Sequence, residues 1–326
     1  MIPTKHARIW LRNAVTASVI GLVAWLGHAA TGEAAYLYAS GQLLIEGEPG
    51  HDDVRENRIF KIDVLTGKAT AVSPLFDGAT PAALAGRRKN GQPELLGIRS
   101  GRLGKVNISE GTFLPIGDPI GMNSTGFDIL ADGRGYIVPF VGSQTPQLFS
   151  IDLETAMATP IGSSTAIGDA IDAALGNNPG TTQPFVISLG SVGSTLYGVD
   201  LRTNTLIALD PETGTASVVG QVGAVGSSQG GGYSGCAALT GVDTNGDGAF
   251  DSLYGVVNFA PGGERLGGIA RYDLNDGTWS LVGTNPGMIF FGMGSTVVPE
   301  PSSVVMLGMG LVGGWVVLRR SRKLMT

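Results

Sequence analysis

Cysteine is almost missing from this chain of 326 residues: Cys236 stands alone. No disulfide can form within it, so stability has to come from a packed core, from repeats or from a bound metal. Histidine is nearly as scarce. Two of the three, His6 and His28, fall near the N-terminus, and a histidine-based catalytic triad in the remainder would have to use His51. That residue lies in the charged segment 46–56, which reads as a solvated loop between strands. Aromatic residues make up only 7% of the chain whereas glycine occurs 52 times, a balance that favours many tight turns. The glycine-rich stretches 226–232 and 262–268 lack the Gly-Lys-Ser/Thr ending of a phosphate-binding loop and any helix after it, which excludes that mode of nucleotide binding. Positive charge is in short supply as well. Residues 36–298 hold 14 Lys+Arg against 25 Asp+Glu, a formal charge of −11. Such a surface repels nucleic acid and anionic lipid and suits cations or neutral and basic partners; no nucleic-acid partner is expected. The one basic run there, Arg87-Arg88-Lys89, precedes an Asn90-Gly91 turn and reads as a solvated loop tip.

What is present begins with the two ends. Residues 1–13 contain Lys5, Arg8 and Arg12 and no acid, 14–26 are apolar, and small residues follow up to Ala35. That order is a secretory signal peptide over 1–35, although a signal-anchor helix would share it. At the other end Pro299-Glu300-Pro301 precedes an uncharged run over 302–318 and the basic cluster Arg319, Arg320, Arg322 and Lys323. About 17 apolar residues are at the short end of what spans a bilayer as one helix, and the basic cluster is held cytoplasmic. Residues 299–326 therefore resemble the PEP-CTERM sorting signal. The resemblance implies a partner, an exosortase-type processing enzyme, that cuts near Pro299-Glu300-Pro301. It also implies transient anchoring in the inner membrane and release to the cell surface or beyond. An ordinary C-terminal anchor is the alternative.

Between the ends, residues 36–298 repeat. An apolar strand closes on Asp or Asn and a short polar turn at Asp63, Asn107, Asp152, Asp210 and Asp273, spaced 44 to 63 residues apart. Gly67, Gly111, Gly214 and Gly277 follow four residues on, with Ala156 in the third copy. The carboxylate or amide opens the turn by bonding its own backbone, and glycine supplies a positive φ. A short alternating strand follows each turn, and another strand precedes most copies, as in Leu196-Tyr197-Gly198-Val199 and Leu253-Tyr254-Gly255-Val256. Four antiparallel strands per repeat predict an all-β fold, a β-propeller of five four-stranded blades. The first blade lacks an inner strand and a spare strand lies at 288–297, so the C-terminal strand is expected to close the ring. A β-solenoid or a pair of sandwiches remains the alternative. Long insertions lie at 163–193 and 222–252, the first with a helix expected over 166–175.

The sharpest chemical motif is Asp243-Thr244-Asn245-Gly246-Asp247-Gly248-Ala249-Phe250-Asp251. Oxygen donors at alternating positions, a glycine at the sixth and an acid at the ninth suit a hard cation. The side chains of Asp243, Asn245, Asp247 and Asp251 and the Ala249 carbonyl are the expected ligands of a structural calcium ion. The arrangement resembles the calcium loops of FG-GAP propeller repeats. Tyr254 stands where an EF-hand has its glutamate, and an Asn-Gly-Asp-Gly turn without an ion is the alternative. Together these features point to an exported cell-surface or matrix protein that binds exopolysaccharide or an envelope partner without catalysis. The alternative is a secreted hydrolase or lyase acting on polysaccharide or lactone through carboxylates in the propeller channel.

Overall fold

Each of the five Asp/Asn turns forms as its sequence dictates. In the first, Asp63 Oδ1 accepts the amides of Leu65 and Thr66 at 2.8 and 3.2 Å, and the Gly67 amide donates to the Asp63 carbonyl at 2.8 Å. Gly67, Gly111, Ala156, Gly214 and Gly277 all carry φ between 61° and 77°. The structure, a computed structural model, describes residues 36–45, 54–122, 124–139, 146–222, 235–245, 248–259 and 266–296. The signal helix, the sorting helix and the residues Pro299, Glu300, Pro301, Arg319, Arg320, Arg322 and Lys323 lie outside them, as does His51. Among the described residues no helix is long and apolar enough to cross a membrane.

The strands are β1 (Tyr36–Ile45), β2 (Val54–Asp63), β3 (Ala69–Ala71), β4 (Ala83–Lys89), β5 (Gln92–Arg99), β6 (Arg102–Asn107), β7 (Thr112–Pro115), β8 (Ser124–Ile129), β9 (Gly135–Pro139), β10 (Leu148–Ile151) and β11 (Ala158–Ile161). After the helix α1 (Ala166–Leu175) come β12 (Gly190–Val192), β13 (Thr195–Asp200), β14 (Thr205–Leu209), β15 (Ala216–Gln221), β16 (Gly235–Val242), β17 (Ser252–Phe259), β18 (Leu266–Tyr272), β19 (Trp279–Pro286) and β20 (Met288–Ser295). They make five four-stranded antiparallel sheets: β4 to β7, β8 to β11, β12 to β15, β16 to β19, and one that joins the two ends of the body in the order β20-β1-β2-β3. This is the five-bladed propeller. The last strand pairs with the first, Leu37 opposite Ser295 and Leu43 opposite Met288, so the chain's C-terminal strand is the inner strand of its N-terminal blade. With this pairing all five blades have an inner strand.

Burial follows the ring. Five apolar clusters occupy the five interfaces between neighbouring blades, as in Phe60, Ile62 and Phe290 against Val256 and Ile269, or Leu130 and Tyr136 against Leu196 and Ile207. Helix α1 inserts Ile167 and Ile171 into the latter cluster. Its Asp172 holds the segment that follows by accepting the amides of Thr181 and Thr182. Those bonds, with the Thr181 and Thr182 side chains, hold the Asp172 carboxyl down at about 2.

The turns also set the spacing of the blades. A Cβ on Gly67 would stand 2.6 Å from the Gly283 nitrogen in the blade before it. Gly283 lies beside a bulge in the pairing of β18 with β19, and Gly214 meets Gly162, and Gly277 meets Gly220, in the same way. We expect Gly67→Ala to destabilise the protein by about 2 kcal/mol or more, since it adds left-handed strain to a main-chain clash. Denaturant unfolding of the variant beside Asn204→Gly, an exposed turn position with φ 51°, is the measurement. An unchanged midpoint for Gly67→Ala would show that the turns do not gauge blade spacing.

One expectation is corrected. Arg87-Arg88-Lys89 is not a loop tip but the end of β4, and Asn90 and Gly91, both at positive φ, make the turn into β5. Arg87 is largely enclosed. Its guanidinium meets Glu94 at 2.7 Å and Glu154 of the next blade at 2.9 Å, while Lys89 meets Glu154 at 2.6 Å.

Candidate functional site

Strand direction decides which residues share a face. Tyr36 lies opposite Asp63 and Leu37 opposite Ser295, so the start of β1, the end of β20 and the first Asp turn are at one end of the ring. The other inner strands, β4, β8, β12 and β16, run beside β20 around the axis. A Cβ on Gly86 would fall 1.9 Å from the Ser295 carbonyl oxygen, and one on Gly241 1.7 Å from that of Ser191. The Ser295 hydroxyl donates to the Gly241 carbonyl, and the Ser191 hydroxyl donates to that of Ile129 at 3.3 Å. The inner strands thus come together at this end through small residues whose hydroxyls engage edge groups the sheets leave unpaired. The inner hairpin turns at this end are Asn90-Gly91, the turn around Asp132 and Gly133, the turn at Gly193, and the 243–251 loop.

On the inner strand β8 stands Asp128, 2% exposed. Burial pushes its carboxyl up to about 7, against the pull of the Ser191 hydroxyl and the amides of Ile129, Ser191 and Gly241. Its Oδ2 makes no hydrogen bond among the described residues. Asp128 therefore ties β8 to β12 and β16 at the axis, and its burial favours the protonated form. Sequence reasoning missed it. The available signal was an acid in mid-strand, between Phe127 and Ile129, with no turn to build. Among the described residues its hydrogen-bonding neighbours are hydroxyl and amide groups.

The 243–251 loop joins β16 to β17, as expected from the strands that frame it. Asp243 is nearly buried and its Oδ2 accepts the Gly248 amide at 2.7 Å, with Gly248 at φ 90°. Asp251 closes the other end. Its carboxylate accepts the Thr244 hydroxyl at 2.7 Å and the Thr244 amide at 3.2 Å, and its own amide donates to Val242. Asp247 lies outside the described residues. Among those described, no three His, Cys, Asp or Glu side chains come together. The donor set is all oxygen, which fits a hard cation, and Asp251 would have to share its carboxylate between Thr244 and the ion.

Cys236, on β16, is enclosed beside Ser188 and Tyr272, and burial raises its thiol to about 11. It is a core residue whose burial favours the thiol over the thiolate.

The fold defines the class of the body, a five-bladed β-propeller. Residues 297–323 match the PEP-CTERM protein-sorting motif. The chain thus carries a PEP-CTERM sorting motif beyond a five-bladed propeller body; such a motif implies sorting by exosortase. No curated protein sequence matches it. Among solved structures, a chain of a nidogen/laminin complex aligns with TM-score 0.43 and 12% identity, covering 81% of this chain and 99% of that one. A protein of unknown function from Bacteroides caccae aligns with TM-score 0.33 and 14% identity, over 78% of this chain and 73% of that one. Likenesses at this level have no bearing on function.

Proposed function

We propose that the mature propeller is a non-enzymatic binding protein of the extracellular layer, taking exopolysaccharide or an envelope protein as partner, with one calcium ion fastening the 243–251 loop. The sorting motif is the observation that carries this reading, because it delivers the body to the surface where such partners are. Two features support it. The body is strongly acidic, which suits neutral glycan and cations. Among the described residues the buried axial carboxyl is surrounded by the amides and hydroxyl of its neighbours, whereas glycoside hydrolysis needs a pair of acids.

The calcium ion would be held by Asp243, Asn245, Asp247 and Asp251 with the Ala249 carbonyl, and its role would be to order the loop. Adding calcium at a hundredfold excess over its dissociation constant is expected to raise stability by about 2.7 kcal/mol. The double variant Asp243→Ala, Asp251→Ala should lose that increment. A thermal unfolding temperature that ignores calcium and chelator alike would remove the ion from this reading.

Function is tested by incubating the mature protein with the producing strain's exopolysaccharide, with calcium and with chelator. Saturable binding without shortening of the polymer is the expected result. Depolymerisation that dies on Asp128→Asn would replace the reading with that of a polysaccharide hydrolase or lyase.

A further inference from the structure

Between the blade β8 to β11 and the blade β12 to β15 the chain makes its longest excursion from the ring. β11 runs away from the Asp152 turn and β12 runs into the turn at Gly193, so residues 162–189 connect them at the end of the ring opposite Ser295. The matching connections elsewhere span 72–82, 116–123, 222–234 and Gly287 alone, so joining two blades does not require this length. Residues 173–199 carry no charged side chain, in a body whose formal charge is −11. The two acids that bound this stretch, Asp172 and Asp200, are both fully buried and both turn inward to hold it. Asp172 accepts the Thr181 amide and hydroxyl, each at 2.9 Å, and the Thr182 amide at 3.0 Å. Asp200 accepts the Phe185 amide, and Arg202 donates to the Gln183 carbonyl at 2.6 Å. Residues 177–185, neither helix nor strand, are thus fixed by charge-assisted bonds to their main chain.

On this held main chain the side-chain amides of Asn177, Asn178 and Gln183 are exposed and make no hydrogen bond among the described residues. Their backbone is occupied instead. The Asn177 amide donates to the Asp172 carbonyl at 2.8 Å, and the Asn178 carbonyl accepts the Thr181 hydroxyl at 2.7 Å. Leu175, 41% exposed, and the exposed Pro179 add apolar surface beside them. We propose that the segment 175–183 is the surface on which the propeller binds neutral glycan. The inference rests on the reading of the protein as a glycan binder and adds where the contact falls. Sugar hydroxyls both donate and accept, and each primary amide offers two donors and an acceptor. A main chain held before the ligand arrives removes part of the ordering cost of binding. The missing charge selects the class of partner. A polyanionic polymer is repelled by the surrounding body, and a basic protein is drawn to carboxylates rather than to a stretch without them.

The test is binding of the mature protein to the neutral fraction of the producing strain's exopolysaccharide, separated from the acidic fraction by ion exchange. The triple variant Asn177→Ala, Asn178→Ala, Gln183→Ala should bind at least about tenfold more weakly, the worth of about two hydrogen bonds. The pair Thr70→Ala, Ser109→Ala, exposed beside the Asp63 and Asn107 turns at the other end of the ring, should bind as the parent does. An unchanged denaturant midpoint in the triple variant shows that the ring is intact. Parental affinity in the triple variant, or an equal loss in the control pair, places the contact elsewhere and overturns the inference while the glycan reading stands. A parent that binds the acidic fraction alone overturns the assignment to neutral glycan. A parent that binds neither fraction removes the glycan reading and the inference with it.

Discussion

Lowering the pH from 8 to 5 raises the unfolding free energy of the mature protein by about 3 kcal/mol, and Asp128→Asn removes that gain. The reasoning is linkage. Asp128 titrates near 7 in the folded ring, against an ordinary value of 3.8. Between those values the folded state binds the extra proton, so stability falls as pH rises through the window and levels off above it. Each unit is worth about 1.4 kcal/mol. At pH 8 the Asn variant, which keeps an acceptor for the surrounding amides and removes the buried charge, should be more stable than the parent by about 2 to 4 kcal/mol. Carboxylates held low by their partners act in the opposite sense and elsewhere on the scale. Asp152 and Asp210 are held down by turn amides. Burial raises Glu94, but Lys105 and Arg87 more than offset this and hold it low. Their stabilisation is lost only as pH falls below the ordinary carboxylate range. Comparing parent and variant cancels whatever His51 adds. Denaturant unfolding at pH 5, 6.5 and 8 measures the effect; a parent curve flat across that range, or a variant weaker at pH 8, would show that the axial carboxyl is already ionised in the ring.

The second large effect is on closure. Phe290 is fully buried on β20, edge-on to Phe60 at 5.6 Å between ring centroids, and packs over Gly267 of the last blade. One side chain thus joins the first blade to the fifth. Phe290→Ala should cost about 3 to 5 kcal/mol, the range for an aromatic removed from a core that cannot collapse around the gap. A chain ending at Gly287 should lose cooperative unfolding altogether, because the first blade then exposes the inner edge of β1 and the interface with the fifth blade. Equilibrium denaturation with two spectroscopic probes distinguishes the cases. Coincident transitions in the truncated chain would mean that the other four blades hold the arc closed without β20.

Much of this protein was legible in its residues, and the reasons are local. An Asp or Asn followed four residues later by a left-handed glycine builds the same turn wherever it occurs, because the carboxylate or amide bonds the next two or three amides before any tertiary contact exists. Five such turns between alternating strands prescribe five hairpins, and the frame around them prescribes four strands per blade. The helix at Ala166–Leu175 followed from the spacing of Ile167 and Ile171. The sorting signal is likewise linear, a tripeptide, an apolar run and a basic tail in order. Arg87 escaped this kind of reading because its partners, Glu94 and Glu154, come from the next strand and the next blade, and charge composition alone places a basic run in solvent.

What the sequence by itself determined is the set of turns, the number of repeats and the address, since each depends on neighbours within a few residues or on composition. Tertiary structure alone decided what meets at the axis. Asp128, Ser191, Gly241 and Ser295 are brought together from four blades, and nothing local marks the first as different from an acid in solvent. Only ring closure places Ser295 beside both Gly86 and Gly241. The physical reason is that strands far apart in the chain share the axis, and the burial that shifts a carboxyl exists only once all five inner strands are in place.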